Sequence, residues 1–193
     1  SVFVPVLKGH CTKVSDLFNI SFIDLCEDVQ KKIDEVYDNS YFTKVIFVGY
    51  SVGSLIAFWL KEKYNANLFL VSTPFKLKRR VMLFTKLYPF KTIPKLDEHF
   101  KRSTKRRFFY DDVPASIVRV SIEGQRFIPD EFSASDYVIL NPDLYTADIR
   151  KSDFFPPSSH HFLSQASHNL FWNKSGKKFI VKSLKEFINH DTG

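Results

Sequence analysis

The chain has 193 residues, 44% of them hydrophobic, which suits one globular domain with room for a small insertion. Its two cysteines, Cys11 and Cys26, exclude a disulfide framework, and no run of 18 apolar residues exists to span a membrane as a helix. The formal charge is +7, but the segment from Lys76 to Arg107 holds twelve basic residues against Asp97 and Glu98, so it carries +10 and the rest of the chain −3.

A reducing, cytoplasmic setting is the default for such a chain, and no signal peptide is recognisable. The only methionine is Met82, so an N-terminus that has been processed or trimmed is expected. Phenylalanine is abundant, with 21 residues, enough for a packed core or an apolar pocket.

In chain order, Val2 to Leu7 reads as a short buried strand and Lys8-Gly9-His10 as the turn leaving it. Ser21 is placed to cap a helix in which Phe22, Leu25, Val29, Ile33 and Val36 recur at steps of three and four. Val45 to Val48 is a second buried strand, followed by an apolar helix through Leu55, Ile56, Phe58, Trp59 and Leu60. Asn67 to Val71 is a third strand. Strands alternating with helices imply βαβ units and a mostly parallel sheet flanked by helices, an α/β fold.

Beyond Pro74 the periodicity breaks into the basic segment, where Pro89 and Pro94 leave room only for short helices. Ile117 to Ile122 alternates like a strand, with Glu123-Gly124 as a tight turn into Gln125 to Ile128. Tyr137 to Leu140 is a cleaner strand. Phe162-Leu163 leads to Gln165-Ala166-Ser167-His168. A last helix presents Phe179, Ile180, Ser183, Leu184, Phe187 and Ile188 as one stripe. The expected division is a core over 1–74 and 113–193, interrupted by a small basic cap over 75–112.

Gly49-Tyr50-Ser51-Val52-Gly53 fits G-x-S-x-G, and its context is an apolar strand before and an apolar helix after. A sharp strand-to-helix turn exposes the serine hydroxyl at the sheet edge, and both glycines are expected to avoid a Cβ clash. The Val52 N–H, at the helix start, then faces an oxyanion. The bland reading of Ser51 is a helix cap. A serine nucleophile needs a base, and His168 is preferred because it lies in a turn after a strand. His160 and His161 read as solvated loop, and His190 as terminal. The acid that orients the imidazole is expected between Ser51 and His168 in chain order. Asp143, in the turn after Tyr137–Leu140, is preferred; Glu123 is the rival, and Asp148 and Asp153 stay open.

Val4-Pro5-Val6-Leu7-Lys8-Gly9-His10, Asp16-Leu17, Phe22-Ile23-Asp24, Asp28-Val29 and the Ser51 pentapeptide together resemble the α/β-hydrolase carboxylesterases and monoacylglycerol lipases. Ser167-His168 before a terminal helix resembles the end of the same family. The resemblance covers residues 1 to about 75 and roughly the last 35. It implies a Ser-His-Asp/Glu triad of Ser51, His168 and Asp143, an acyl-enzyme intermediate, and a cap after Leu68–Val71. It also implies that His10 lies near the site without being the base, and that Tyr50 and Val52 border the oxyanion and substrate. The family's upstream strands, with the His-Gly-type loop that supplies a second oxyanion N–H, have no counterpart in the sequence.

The expected function is cleavage of carboxylic esters, small-molecule or lipid, by a serine esterase or lipase-like hydrolase without metal or cofactor. The alternative is a catalytically impaired hydrolase-fold binding or interaction protein. In the cap, Val81, Met82, Leu83, Phe84 and Leu87 interleave with basic residues, so contact with an anionic surface is one reading and a solvated cap the other. No nucleic-acid motif is recognisable, so nucleic acid is not an expected partner.

Overall fold

The computed structural model describes residues 1–37, 41–88, 92–94, 112–140, 160–162, 170–172 and 174–190. The chain divides into two compact units, Ser1–Thr43 with Lys78–Arg126, and Lys44–Leu77 with Phe127–Gly193.

The second unit is built on a sheet. Among the described residues it has four strands, all parallel, in the order β1 (Ile46–Tyr50), β2 (Asn67–Val71), β5 (Tyr137–Leu140), β6 (His160–Phe162). Helix α2 (Val52–Lys61) connects β1 to β2, and α5 (Lys174–His190) follows β6. Leu68 to Val71 are fully buried, as expected for a strand covered on both faces. Phe69 and Val71 join Ile139, Leu170 and Ile180 in one apolar cluster, against which Tyr137, Leu184 and Phe187 pack. The tiling is aromatic: Phe69 stacks on Tyr137 with centroids 5.1 Å apart, and Phe187 leans on both. Phe58 of α2 meets Phe132 edge-on at 5.3 Å, and Phe75 packs against both.

A buried charge ties the sheet together. Asp136, immediately before β5, accepts from the Leu68 N–H (3.0 Å) and from Lys61 Nζ of α2 (2.5 Å). The carboxylate thereby joins the start of β5, the start of β2 and the end of α2.

The first unit is largely helical. Helix α1 (Phe22–Asp34) begins with a complete capping box. The Asp24 N–H donates to Ser21 Oγ, and the Ser21 N–H donates back to the Asp24 carboxylate. Phe22, Leu25, Cys26, Val29 and Ile33 form the buried stripe, while Val36 lies past the helix end and is half exposed. The described part of the unit also holds a 3-10 turn (Val14–Leu17), two further helices, α3 (Arg79–Leu87) and α4 (Ala115–Gly124), and a two-stranded antiparallel pair, β3 (Thr92–Pro94) with β4 (Asp112–Pro114).

Several local expectations are corrected. Val2 to Leu7 has no strand partner among the described residues, and Val2, Phe3, Val4 and Val6 are exposed. Residues 117–122 are helical, not a strand, and Gln125–Phe127 is a 3-10 turn. The β-branched run of α4 imitates a strand, but Ala115, Val118 and Ser121 are buried at helical spacing, and packing overrides the weak local preference. Ser121 Oγ donates to the Ile117 carbonyl one turn back (2.9 Å), which absorbs its hydroxyl. His160 and His161 belong to β6 rather than to a loop, in register with Val138 and Ile139. Ile188 leaves the apolar stripe of α5 and is 42% exposed.

Candidate active site

The site is organised by the bend between β1 and α2. Ser51 occupies the cap position of α2 with φ +52° and ψ −123°. Only the first corner of a mirror-image type II turn normally has these angles, and a side chain held there costs about 1–3 kcal/mol. The hydroxyl of Ser51 does not cap the helix. Ser21 is the contrast: an extended cap residue whose oxygen accepts from the helix in the ordinary way. The capping reading of Ser51 is thereby excluded.

Two backbone bonds hold the bend. The Ser51 N–H donates to the Val71 carbonyl (3.0 Å), and the Ser54 N–H donates to the Ser51 carbonyl (2.9 Å). Gly49 is required: a Cβ there would lie 2.5 Å from Ser54 Cα and 2.9 Å from Ser54 N. Gly53 is not required in the same way, since a Cβ on it meets no described atom within 4 Å. Val52 is the first residue of α2, where an N–H has no acceptor within the helix.

Tyr50 is positioned by packing. Its ring meets Phe171 edge-on at 5.2 Å and lies against the apolar cluster under α5. His10 belongs to the first unit, where its Nδ1 lies 3.3 Å from the Lys8 carbonyl oxygen.

His168 and Asp143 lie outside the described residues, as do Asp148 and Asp153. The strands before them are described. Because β1, β2, β5 and β6 run parallel, all four end at one sheet edge, the edge that carries Ser51. Asp143 follows Leu140 by three residues in sequence, and His168 follows Phe162 by six. This is the edge at which open parallel sheets bind ligands.

Glu123, the rival acid, is engaged elsewhere. Its Oε2 accepts from the Phe22 N–H (2.8 Å) at the start of α1, and its Oε1 lies 3.7 Å from Arg119 Nε. Arg119 also donates to the carbonyls of Phe18 and Ile20. Glu123 therefore neutralises a helix N-terminus in the first unit.

One feature of this edge is invisible in the sequence. Tyr50 and Val71 are paired in the sheet, so Ser51 and Ser72 follow their strands side by side. Ser72 is also at positive φ, +52°, and its N–H donates to the Ile139 carbonyl (3.1 Å). The next residue, Thr73, is buried, and its hydroxyl has no hydrogen-bond partner among the described residues. A serine and a threonine after a strand read as an ordinary turn, so no sequence signal marked them. No cluster of three or more potential metal ligands occurs among the described residues.

No protein-family profile matches the chain, and no curated protein is recognisably similar to it in sequence. Solved structures are similar. A candidate non-heme bromoperoxidase from Mycobacterium tuberculosis matches 89% of this chain and 75% of its own, with TM-score 0.59 and 16% identity. The alpha/beta hydrolase domain-containing protein 10 from mouse matches 89% and 71%, with TM-score 0.53 and 13% identity. Human thioesterase 2 matches 86% and 81%, with TM-score 0.50 and 16% identity. The parallel order β1-β2-β5-β6, the bend at Ser51 and these likenesses together assign the chain the α/β-hydrolase fold.

Proposed function

We propose that the protein is a serine hydrolase that cleaves carboxylic esters through an acyl-enzyme on Ser51. The observation that carries this reading is the conformation of Ser51, a strained residue at the helix start whose hydroxyl does not cap the helix. Strain retained at a residue that does no capping needs another reason, and nucleophilic display supplies one.

In this reading Ser51 Oγ attacks the ester carbonyl carbon while His168 takes its proton. The Val52 N–H stabilises the oxyanion, and Asp143 holds the imidazole in orientation. The tetrahedral intermediate collapses, the C–O bond to the alcohol breaks, and His168 returns the proton to the leaving oxygen. Water, deprotonated by His168, then attacks the acyl carbon and frees the acid and Ser51. Glu123 already accepts the Phe22 N–H, which weighs against it as the acid, and Asp143 is preferred to Asp148 and Asp153 because it follows the strand β5 by only three residues. The contribution of Tyr50 to the substrate rim belongs to the same proposal.

A fluorophosphonate probe tests it directly. The native chain should be labelled at Ser51, and Ser51→Ala should lose both labelling and ester hydrolysis. Hydrolysis that persists in the purified Ser51→Ala protein overturns the assignment. A folded but unlabelled native chain points instead to a hydrolase-fold binding protein.

A further inference from the structure

We propose that the outer face of α5 docks the protein on an anionic lipid surface, a role that does not depend on the chemistry of Ser51. The helix is strongly two-sided. Gly176, Ile180 and Ser183 are buried, and Phe179, Leu184 and Phe187 pack towards the sheet. The opposite side presents Lys174, Lys177, Lys178, Lys182 and Lys185, all exposed. At the helical angle per residue they span an arc of about 140° and a length of roughly 17 Å. Five lysines face one glutamate, a net of +4 on a single helix.

Only Lys182 has an acidic partner among the described residues, Glu186 at 3.7 Å. That pair is at the surface, with both side chains more than half exposed, and neutralises little. The lysine stems and Val181 line an open groove of about 510 Å³.

The chemistry of this face selects among anionic partners. It has no arginine, so it lacks the forked donor that fixes one phosphate or carboxylate in a defined geometry. Among the described residues of α5, no exposed side chain is aromatic, so none offers a stacking platform for a base. It does expose Val181 (43%) and Ile188 (42%) on the lysine side of the helix. Point charges on long stems around two aliphatic side chains fit a plane of anionic headgroups over hydrocarbon, where each lysine contributes without a fixed partner.

Sedimentation with vesicles tests this. The full chain should bind phosphatidylcholine vesicles containing one-third phosphatidylserine, bind pure phosphatidylcholine weakly, and be released by salt. Replacing Lys177, Lys178 and Lys182 by Gln should weaken binding by roughly fivefold per lysine. Glu186→Gln should strengthen it by a similar factor, a gain that misfolding cannot produce. Val181→Asp should weaken binding with the lysines intact. Failure to bind, equal binding to both vesicles, or indifference to Glu186→Gln overturns the proposal. Preferential retention on duplex DNA or RNA over phosphatidylserine vesicles overturns it in favour of a nucleic-acid surface.

Discussion

A Cβ on Gly49 would sit 2.5 Å from the Cα of Ser54, closer than side chains and backbone ever approach. The contact is with backbone, so no rotamer change relieves it. Gly49→Ala should therefore push β1 and α2 apart, destabilise the chain by about 1–3 kcal/mol in urea unfolding, and abolish labelling of Ser51. Gly53→Ala is the control. No described atom stands within 4 Å of its new methyl, and alanine is the better helix former. Its stability should equal or slightly exceed that of the native chain. Equal losses in both variants would refute the steric account of Gly49.

Ser51→Gly should separate stability from activity. Glycine adopts φ +52° without a Cβ penalty, so the bend relaxes while the hydroxyl disappears. The midpoint of unfolding should rise, by up to about 1–2 kcal/mol of strain released. Ester hydrolysis should fall to background. A midpoint that drops would mean that Ser51 makes a stabilising contact larger than its strain.

The acid of the triad can be identified by comparing two substitutions. Glu123→Gln weakens the charge at the start of α1 and the pairing to Arg119, so stability should fall by about 1 kcal/mol with turnover per folded molecule unchanged. Asp143→Asn should leave unfolding nearly unchanged and depress turnover by several orders of magnitude, because the imidazole loses its orienting partner. The reverse pattern would transfer the role to Glu123.

The parts of this architecture that were legible in the sequence are those dictated by neighbours in the chain. Strand β2 is five consecutive residues, four of them fully buried, and a short apolar run reports that directly. The Ser51 bend combines Gly49, a helix start and an apolar strand within a few residues. The cap at Ser21 is equally local, although the return bond from Asp24 appears only in the structure. What failed depended on distant partners. Helix α4 looked like a strand because Ile117, Val118, Val120 and Ile122 favour one; its helicity follows from which residues α1 and α3 bury. His160 and His161 looked like loop because pairing with β5 leaves no mark on three residues in a proline- and serine-rich stretch. Asp136 carries no local signal either, since its partners Lys61 and Leu68 are far away in sequence.

The two thiols should differ sharply in reactivity. Cys11 is exposed, whereas Cys26 is buried in α1 with its ionisation pushed up to about 12, chiefly by burial and secondarily by Glu27. The thiolate is the reactive form, so at pH 8 Cys11 should react promptly with an aromatic disulfide and Cys26 only after unfolding. One fast equivalent per chain, rising to two in denaturant, is the expected titration. Two fast equivalents in the native protein would contradict the packing of α1.

The capping box of α1 should also set an acid limit on stability. Hydrogen bonds from the Ser21 side chain and backbone, then from Lys8, hold the Asp24 carboxyl at about 2, below its usual 3.8. A carboxyl that is more acidic in the folded chain stabilises it above the unfolded value and loses that contribution as protons bind. The contribution should thus be complete above about pH 5 and fade between pH 4 and 2. The Asp24 side chain is 40% exposed, so solvent screening limits it to about 1 kcal/mol or less. Urea unfolding of the native chain and of Asp24→Asn checks this. The asparagine variant should be the less stable at pH 6, and the gap should narrow steadily as the pH falls from 4 towards 2. A gap that is constant across that range would mean that the carboxylate charge at Asp24 contributes nothing to the helix start.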